Sequence, residues 1–227
     1  MADSLRGFGT LTPLQKAFIA AFRTIPDNSQ FYLAGGAALA EYYFGHRLTF
    51  DLDFFTGVDG LVLPISHQVE SACRAQGLNP QVVRRFASFA QLLVEQGGES
   101  LKVDIAFDSP FRFEPPVLAE TGVYVNNYAD LRVDKLLAYF GRAEPRDAVD
   151  LYFILQREPL ETLLAQAAQK DPGFDSYWFA VALNRAASFP DEAERWPVKM
   201  LKPFEPVEIK KNFQGLALEL MGKATKK

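Results

Sequence analysis

The sequence predicts an α+β protein, with a mixed α/β half over residues 1–125 and a helical half over residues 126–227. Three observations carry this. Short apolar runs at residues 30–34, 50–55, 92–95 and 101–107 have the length of strands and are bounded by turn residues. Gly97-Gly98 lies between two of those runs, a hairpin signal. Beyond residue 125 the pattern changes to helix-length segments separated by breaks at Pro145, Pro159, Pro172 and Pro190.

Taken in order, Thr12-Pro13 followed by Leu14 to Phe22 reads as an N-capped helix with proline in its first turn. Gln30 to Ala34 reads as a short strand, Ala37 to Phe44 as a helix stopped at Gly45, and Phe50 to Phe55 as the second strand. Pro64 to Gln76 is a further helix ended by Gly77. Leu92–Glu95 and Leu101–Phe107 form a hairpin whose loop is slightly longer than the tightest turns, and Val123–Val125 is a last short strand. The helical half comprises Leu131–Phe140, Arg146–Gln156, Pro159–Gln169, Ser176–Ala187 and Phe213–Met221.

Composition bounds the function classes. The chain is 48% apolar and 23% charged, and its 20 phenylalanines imply a substantial core. One cysteine, Cys73, excludes an internal disulfide and fits a reducing compartment; its plain reading is a small buried residue on a helix. Cys73 with His46 and His67 cannot build the usual zinc site. No apolar run spans a bilayer, and Met1 to Arg6 lacks a signal-peptide pattern, so a cytoplasmic, membrane-free protein is expected. Net charge is −4, yet the stretch from Arg195 onward holds eight Lys/Arg against three Asp/Glu. That basic end could meet a polyanion, or its last residues, Lys223 to Lys227, form a solvated tail.

The chemistry concentrates at Phe31-Tyr32-Leu33-Ala34-Gly35-Gly36 and Phe50-Asp51-Leu52-Asp53-Phe54-Phe55. On a strand, Asp51 and Asp53 point to one face, where they repel unless a cation compensates. Gly35-Gly36 stands where a strand turns into a helix, a place where backbone N–H groups can meet a phosphate. Asp104 joins the two acids if its strand lies beside theirs. An all-oxygen trio suits Mg²⁺ or Mn²⁺ together with substrate phosphates. Arg47 could reach a triphosphate or pair with a carboxylate, and His46 is either a base or a structural histidine at a helix end. In the helical half, Lys135 falls beside an apolar stripe, and Asp147 and Asp150 share a helix face, where acids near a helix start are ordinary.

Together these pieces resemble the AbiEii/AbiGii toxin-type nucleotidyltransferases, a branch of the polymerase-beta-like nucleotidyltransferase superfamily. The resemblance is carried by Leu33–Ala40, Gly45–Phe55, Lys102–Ile105, Asp134–Ala138 and Arg142–Leu151. It implies a nucleotidyltransferase fold, a mixed β-sheet flanked by helices and followed by a helical C-terminal domain. It implies that Gly35 and Gly36 hold the triphosphate of an NTP, that Asp51, Asp53 and Asp104 bind metal, and that Asp104 serves as general base. Lys135 would neutralise phosphates, with Asp150 and Asp147 supporting it or the acceptor, and with Arg47 and Arg142 in the nucleotide-binding set. Two positions depart from the family pattern. Ala37 replaces a frequent Thr or Ser, and Thr49 a frequent Ser.

The resemblance implies transfer of an NMP to a hydroxyl acceptor, with an RNA or tRNA end favoured, by the toxin of a toxin–antitoxin or phage-defence pair with a cognate antitoxin. The rival readings are a protein Ser, Thr or Tyr acceptor, a small-molecule acceptor of the drug-resistance type, and a non-catalytic binding module that keeps the fold.

Overall fold

In a computed structural model, residues 4–224 are described. The chain divides into two compact units, Met1–Tyr128 and Ala129–Lys227. Residues 1–3, part of the Met1–Arg6 stretch read for a signal-peptide pattern, and Thr225 to Lys227 of the basic tail lie outside the described residues.

The first unit is built on a seven-stranded mixed sheet. Its strands are β1 (Tyr32–Ala34), β3 (Asp51–Thr56), β4 (Asn79–Arg85), β5 (Phe89–Gln96), β6 (Glu99–Phe107), β7 (Val117–Leu118) and β8 (Tyr124–Val125); the short β2 (Arg47–Leu48) stands outside it. Their order is β4-β5-β6-β3-β1-β8-β7. The pairing that matters most joins β3 to β6 in parallel, so elements some fifty residues apart in the chain become neighbours.

Burial along β3 alternates strictly, with Leu52, Phe54 and Thr56 buried and Asp51, Asp53 and Phe55 half-buried. This apolar face packs under α1 (Pro13–Phe22), with α3 (Val62–Ala75) over the neighbouring β4, β5 and β6. There Phe22 stacks on Phe54 with ring centroids 4.3 Å apart, and Phe18 and Phe31 complete the cluster. Each such side chain contributes about 1.5–3 kcal/mol by leaving water. A one-residue slip of β3 would drive its two aspartates into this layer and expel Leu52 and Phe54, so the hydrophobic pattern also aims the acids. Helix α1 starts as expected, with a capping box between Thr12 and Gln15. Cys73 is buried on α3, and burial pushes its thiol up to about 12.

Three local expectations need correction. The hairpin turn is tighter than expected: Gln96 pairs with Glu99, leaving only Gly97 and Gly98, both at positive φ (61° and 85°), as a two-residue turn of this type requires. The helix expected over Ala37–Phe44 begins earlier, as α2 (Gly35–Leu39), and widens into a π turn over Ala40–Phe44 that ends at Gly45. Strands β4 and β7 were not expected at all. β4 is a mostly exposed edge strand held by its pairing with β5, so it carries little apolar alternation to read.

The second unit holds α4 (Tyr128–Arg142, which starts at the last residue of the first unit), α5 (Pro145–Leu155), α6 (Leu160–Lys170), α7 (Ser176–Asn184) and α8 (Pro206–Ala224). All five expected helices are present, and α8 begins seven residues before the expected Phe213. Tyr139, Phe179 and Phe213 are fully buried, and Tyr139 meets Phe213 edge-on at 5.2 Å. Asp175 caps α7 by accepting from the Tyr177 and Trp178 backbone N–H groups.

Candidate active site

The parallel register of β3 and β6 sets Asp53 beside Asp104 and Asp51 beside Lys102. Because side chains alternate along a strand, Asp51, Asp53, Lys102 and Asp104 all leave the sheet on the face opposite the aromatic core. Neighbouring strands run about 4.8 Å apart, so the acids share one small patch. The sequence placed Asp104 in this group only on condition that its strand lay beside β3, and it does.

Two residues that sequence reasoning passed over complete the face. Gln91 on β5 pairs in register with Asp104 and donates from Nε2 to its Oδ1 at 2.8 Å. The Lys102 ammonium lies 3.1 Å from Asp104 Oδ2 and 3.8 Å from Asp51 Oδ2. Partial burial pulls the Lys102 pKa down. The hydrogen bond to Asp104 and the charges of Asp104, Asp51 and Asp53 outweigh it and hold the ammonium above its ordinary value. The legible signal for both residues was register: Lys102 stands two positions before Asp104, and Gln91 sits across the hairpin from it.

The glycine pair adjoins this face. β1 runs antiparallel to β3, with Ala34 opposite Asp53, so Gly35 begins α2 directly over the acid. A Cβ on Gly35 would lie 2.0 Å from Asp53 Oδ2, and the residue holds φ +63°. Both facts require glycine. A Cβ on Gly36 would come within 2.6 Å of the Arg47 guanidinium. Arg47 itself is buried, and it donates to the Leu48 carbonyl at 3.2 Å. Gln15, fully buried on α1, reaches the carbonyls of Thr49 and Asp51 at 3.1 and 3.3 Å and pins the entry to β3. His46 is fully buried against Phe44, the surroundings of a structural histidine.

The candidate residues of the second unit form pairs of another kind. Lys135 Nζ lies 2.8 Å from Asp150 Oδ2, with side-chain exposures of 7% and 0%. Arg142 grips Asp147 through two parallel bonds, Nε to Oδ2 at 2.6 Å and Nη2 to Oδ1 at 2.7 Å. Asp147 and Asp150 are thus each committed to a cation, although one helix turn carries both. A further ion cluster of three escaped the sequence: Lys170 lies 2.8 Å from the buried Asp130 and 2.6 Å from Asp134.

Among the described residues, no group of three or more His, Cys, Asp or Glu side chains is already arranged to hold a metal ion. The donor chemistry of the β3–β6 face nevertheless fits a hard divalent ion. It offers carboxylate oxygens only, aimed together, with an ammonium already lodged between two of them.

A family model described as nucleotidyl transferase AbiEii toxin, of type IV toxin–antitoxin systems, matches residues 17–210. The chain belongs to this family. The matched range takes in the glycine pair, all three acids and the charge pairs of the helical unit. JHP933 from Helicobacter pylori superposes with a TM-score of 0.60 at 17% identity, over 94% of this chain and 91% of that one. MenT4, a nucleotidyltransferase toxin from Mycobacterium tuberculosis, superposes with a TM-score of 0.54 at 16% identity, over 89% and 81% of the two chains. At these identities the likeness is one of fold. An uncharacterized protein of Aquifex aeolicus is 28% identical over 131 residues, covering 57% of this chain. The chain matches 59% of that relative's length. Among the described residues, no helix is long and apolar enough to cross a membrane.

Proposed function

We propose that this nucleotidyltransferase moves an NMP from an NTP to a hydroxyl acceptor, with an RNA end, tRNA included, as the favoured acceptor. The observation that carries the reading is the close fit of Gly35 over Asp53, with Asp104 in register alongside. Such contact joins a backbone turn that presents N–H groups to the carboxylates that would hold a divalent cation.

Asp51, Asp53 and Asp104 would hold Mg²⁺ or Mn²⁺. When bound, the ion supplies positive charge against the nucleotide phosphates. The rest falls to the chain's own groups. Gly35 and Gly36 let the backbone approach the triphosphate. Asp104, oriented by Gln91, accepts the proton of the acceptor hydroxyl as its oxygen attacks the α-phosphorus and pyrophosphate leaves. Arg47 packs against Gly36 and supports the turn beneath the phosphates. In the helical unit, Lys135 is assigned to phosphate neutralisation, with Asp150 fixing its ammonium; Asp147 fixes Arg142 in the same way. Catalysis of this kind rests on positioning and charge neutralisation. The family's toxin role extends here to growth arrest, relieved by a cognate antitoxin or triggered in phage defence.

The test is incubation with each α-labelled NTP, Mg²⁺, and either total tRNA or cell lysate. Label in RNA is the expected outcome. Label in protein alone would move the acceptor to a Ser, Thr or Tyr hydroxyl. Binding of NTP without transfer to any acceptor would refute the enzymatic reading.

A further inference from the structure

Lys102 reaches two acids of the candidate site from a half-exposed position. Its Nζ stands 3.1 Å from Asp104 and 3.8 Å from Asp51, two of the proposed metal ligands. Its side chain is 44% exposed, whereas Lys135 and Lys170 are 7% and 6% exposed. A lysine with that much exposure can swing its head into water without opening a core.

We infer that Lys102 is a built-in counter-cation that occupies the divalent-ion position between Asp51 and Asp104 and must be displaced when metal binds. The inference rests on the reading of these acids as metal ligands. Two carboxylates aimed into one volume repel each other, and a single ammonium relieves that repulsion. A divalent ion needs carboxylate oxygens at roughly 2.0–2.2 Å, which leaves no room for an ammonium between them. The two cations therefore exclude each other. Gln91 holds the other oxygen of Asp104, so the carboxylate stays aimed while the cations exchange. Lys102 thus keeps the metal-free face ordered and lowers its affinity for metal.

The experiment is a Mn²⁺ titration of the nucleotide-free full chain, following free Mn²⁺ by electron paramagnetic resonance, with wild type, Lys102→Met and Lys102→Arg. Lys102→Met should bind Mn²⁺ about tenfold or more tightly, since no ammonium then has to leave the two carboxylates first. Lys102→Arg should stay near wild type. In EDTA, Lys102→Met should melt below wild type and gain more on adding Mn²⁺. Equal or weaker Mn²⁺ binding by Lys102→Met overturns the inference and leaves the metal-ligand reading standing. Absence of Mn²⁺ binding in both proteins overturns that reading, and the inference with it. A second readout needs no variant: acetylation of Lys102 in the wild type should speed up when Mn²⁺ is added. An unchanged rate contradicts displacement.

Discussion

Asp104 and Asp150 each pair with a lysine, at 3.1 and 2.8 Å, yet their surroundings differ. Asp104 is 19% exposed and its lysine 44%, whereas Asp150 is fully buried and its lysine 7% exposed. Burying a charge is costly unless it is paired, so Lys135 and Asp150 are locked into a closed pair. On the β3–β6 face the acids border solvent, and their counter-charge can leave. The first arrangement holds a fold together. The second keeps negative charge ready for an incoming cation. Metal and proton chemistry is therefore expected on the sheet face, with the helical pairs holding the fold and fixing Lys135 for the phosphates.

Substitutions separate the two roles. Asp53→Asn should lower nucleotidyl transfer by about 10³–10⁴-fold, some 4–5.5 kcal/mol of barrier. Its urea midpoint should stay near wild type, because a half-exposed acid contributes little to stability. Comparable loss of stability and activity would erase the distinction. Asp150→Ala strands a buried ammonium and should cost about 3–5 kcal/mol in urea denaturation. A change under about 1 kcal/mol would show that the pair is not a lock. Gly35→Ala should cost about 1–3 kcal/mol, because its Cβ meets Asp53 at a positive φ. It should also reduce transfer about 10²-fold by displacing the acid; an active, stable variant would break the link between turn and carboxylate. Smallest is Arg142→Lys, which keeps the charge but gives up the two-pronged grip on Asp147. It should lower stability by about 1 kcal/mol in the same denaturation assay.

Local pattern made much of this visible. The alternation in Asp51–Phe55 and the helix signals at Thr12-Pro13 and Gly45 lie in adjacent residues, where period and capping act. The same alternation, with the hairpin, named the three acids before their strands could be paired. What stayed hidden depends on partners distant in the chain. Edge strand β4 exists because β5 pairs with it, and its exposed residues leave no apolar signature. Lys102 and Gln91 acquire meaning only once β6 lies between β3 and β5. Likewise, Asp147 and Asp150 share a helix face, but only tertiary packing decides that one takes Arg142 and the other Lys135.

The most direct check is an anomalous-scattering map from crystals grown with Mn²⁺ and a non-hydrolysable NTP. The account predicts manganese bound by oxygens of Asp51, Asp53 and Asp104, at roughly 2.2 Å, with the triphosphate on the Gly35-Gly36 turn and the Lys102 ammonium withdrawn. Manganese and nucleotide found elsewhere, with Lys102 still bridging Asp51 and Asp104, would contradict it.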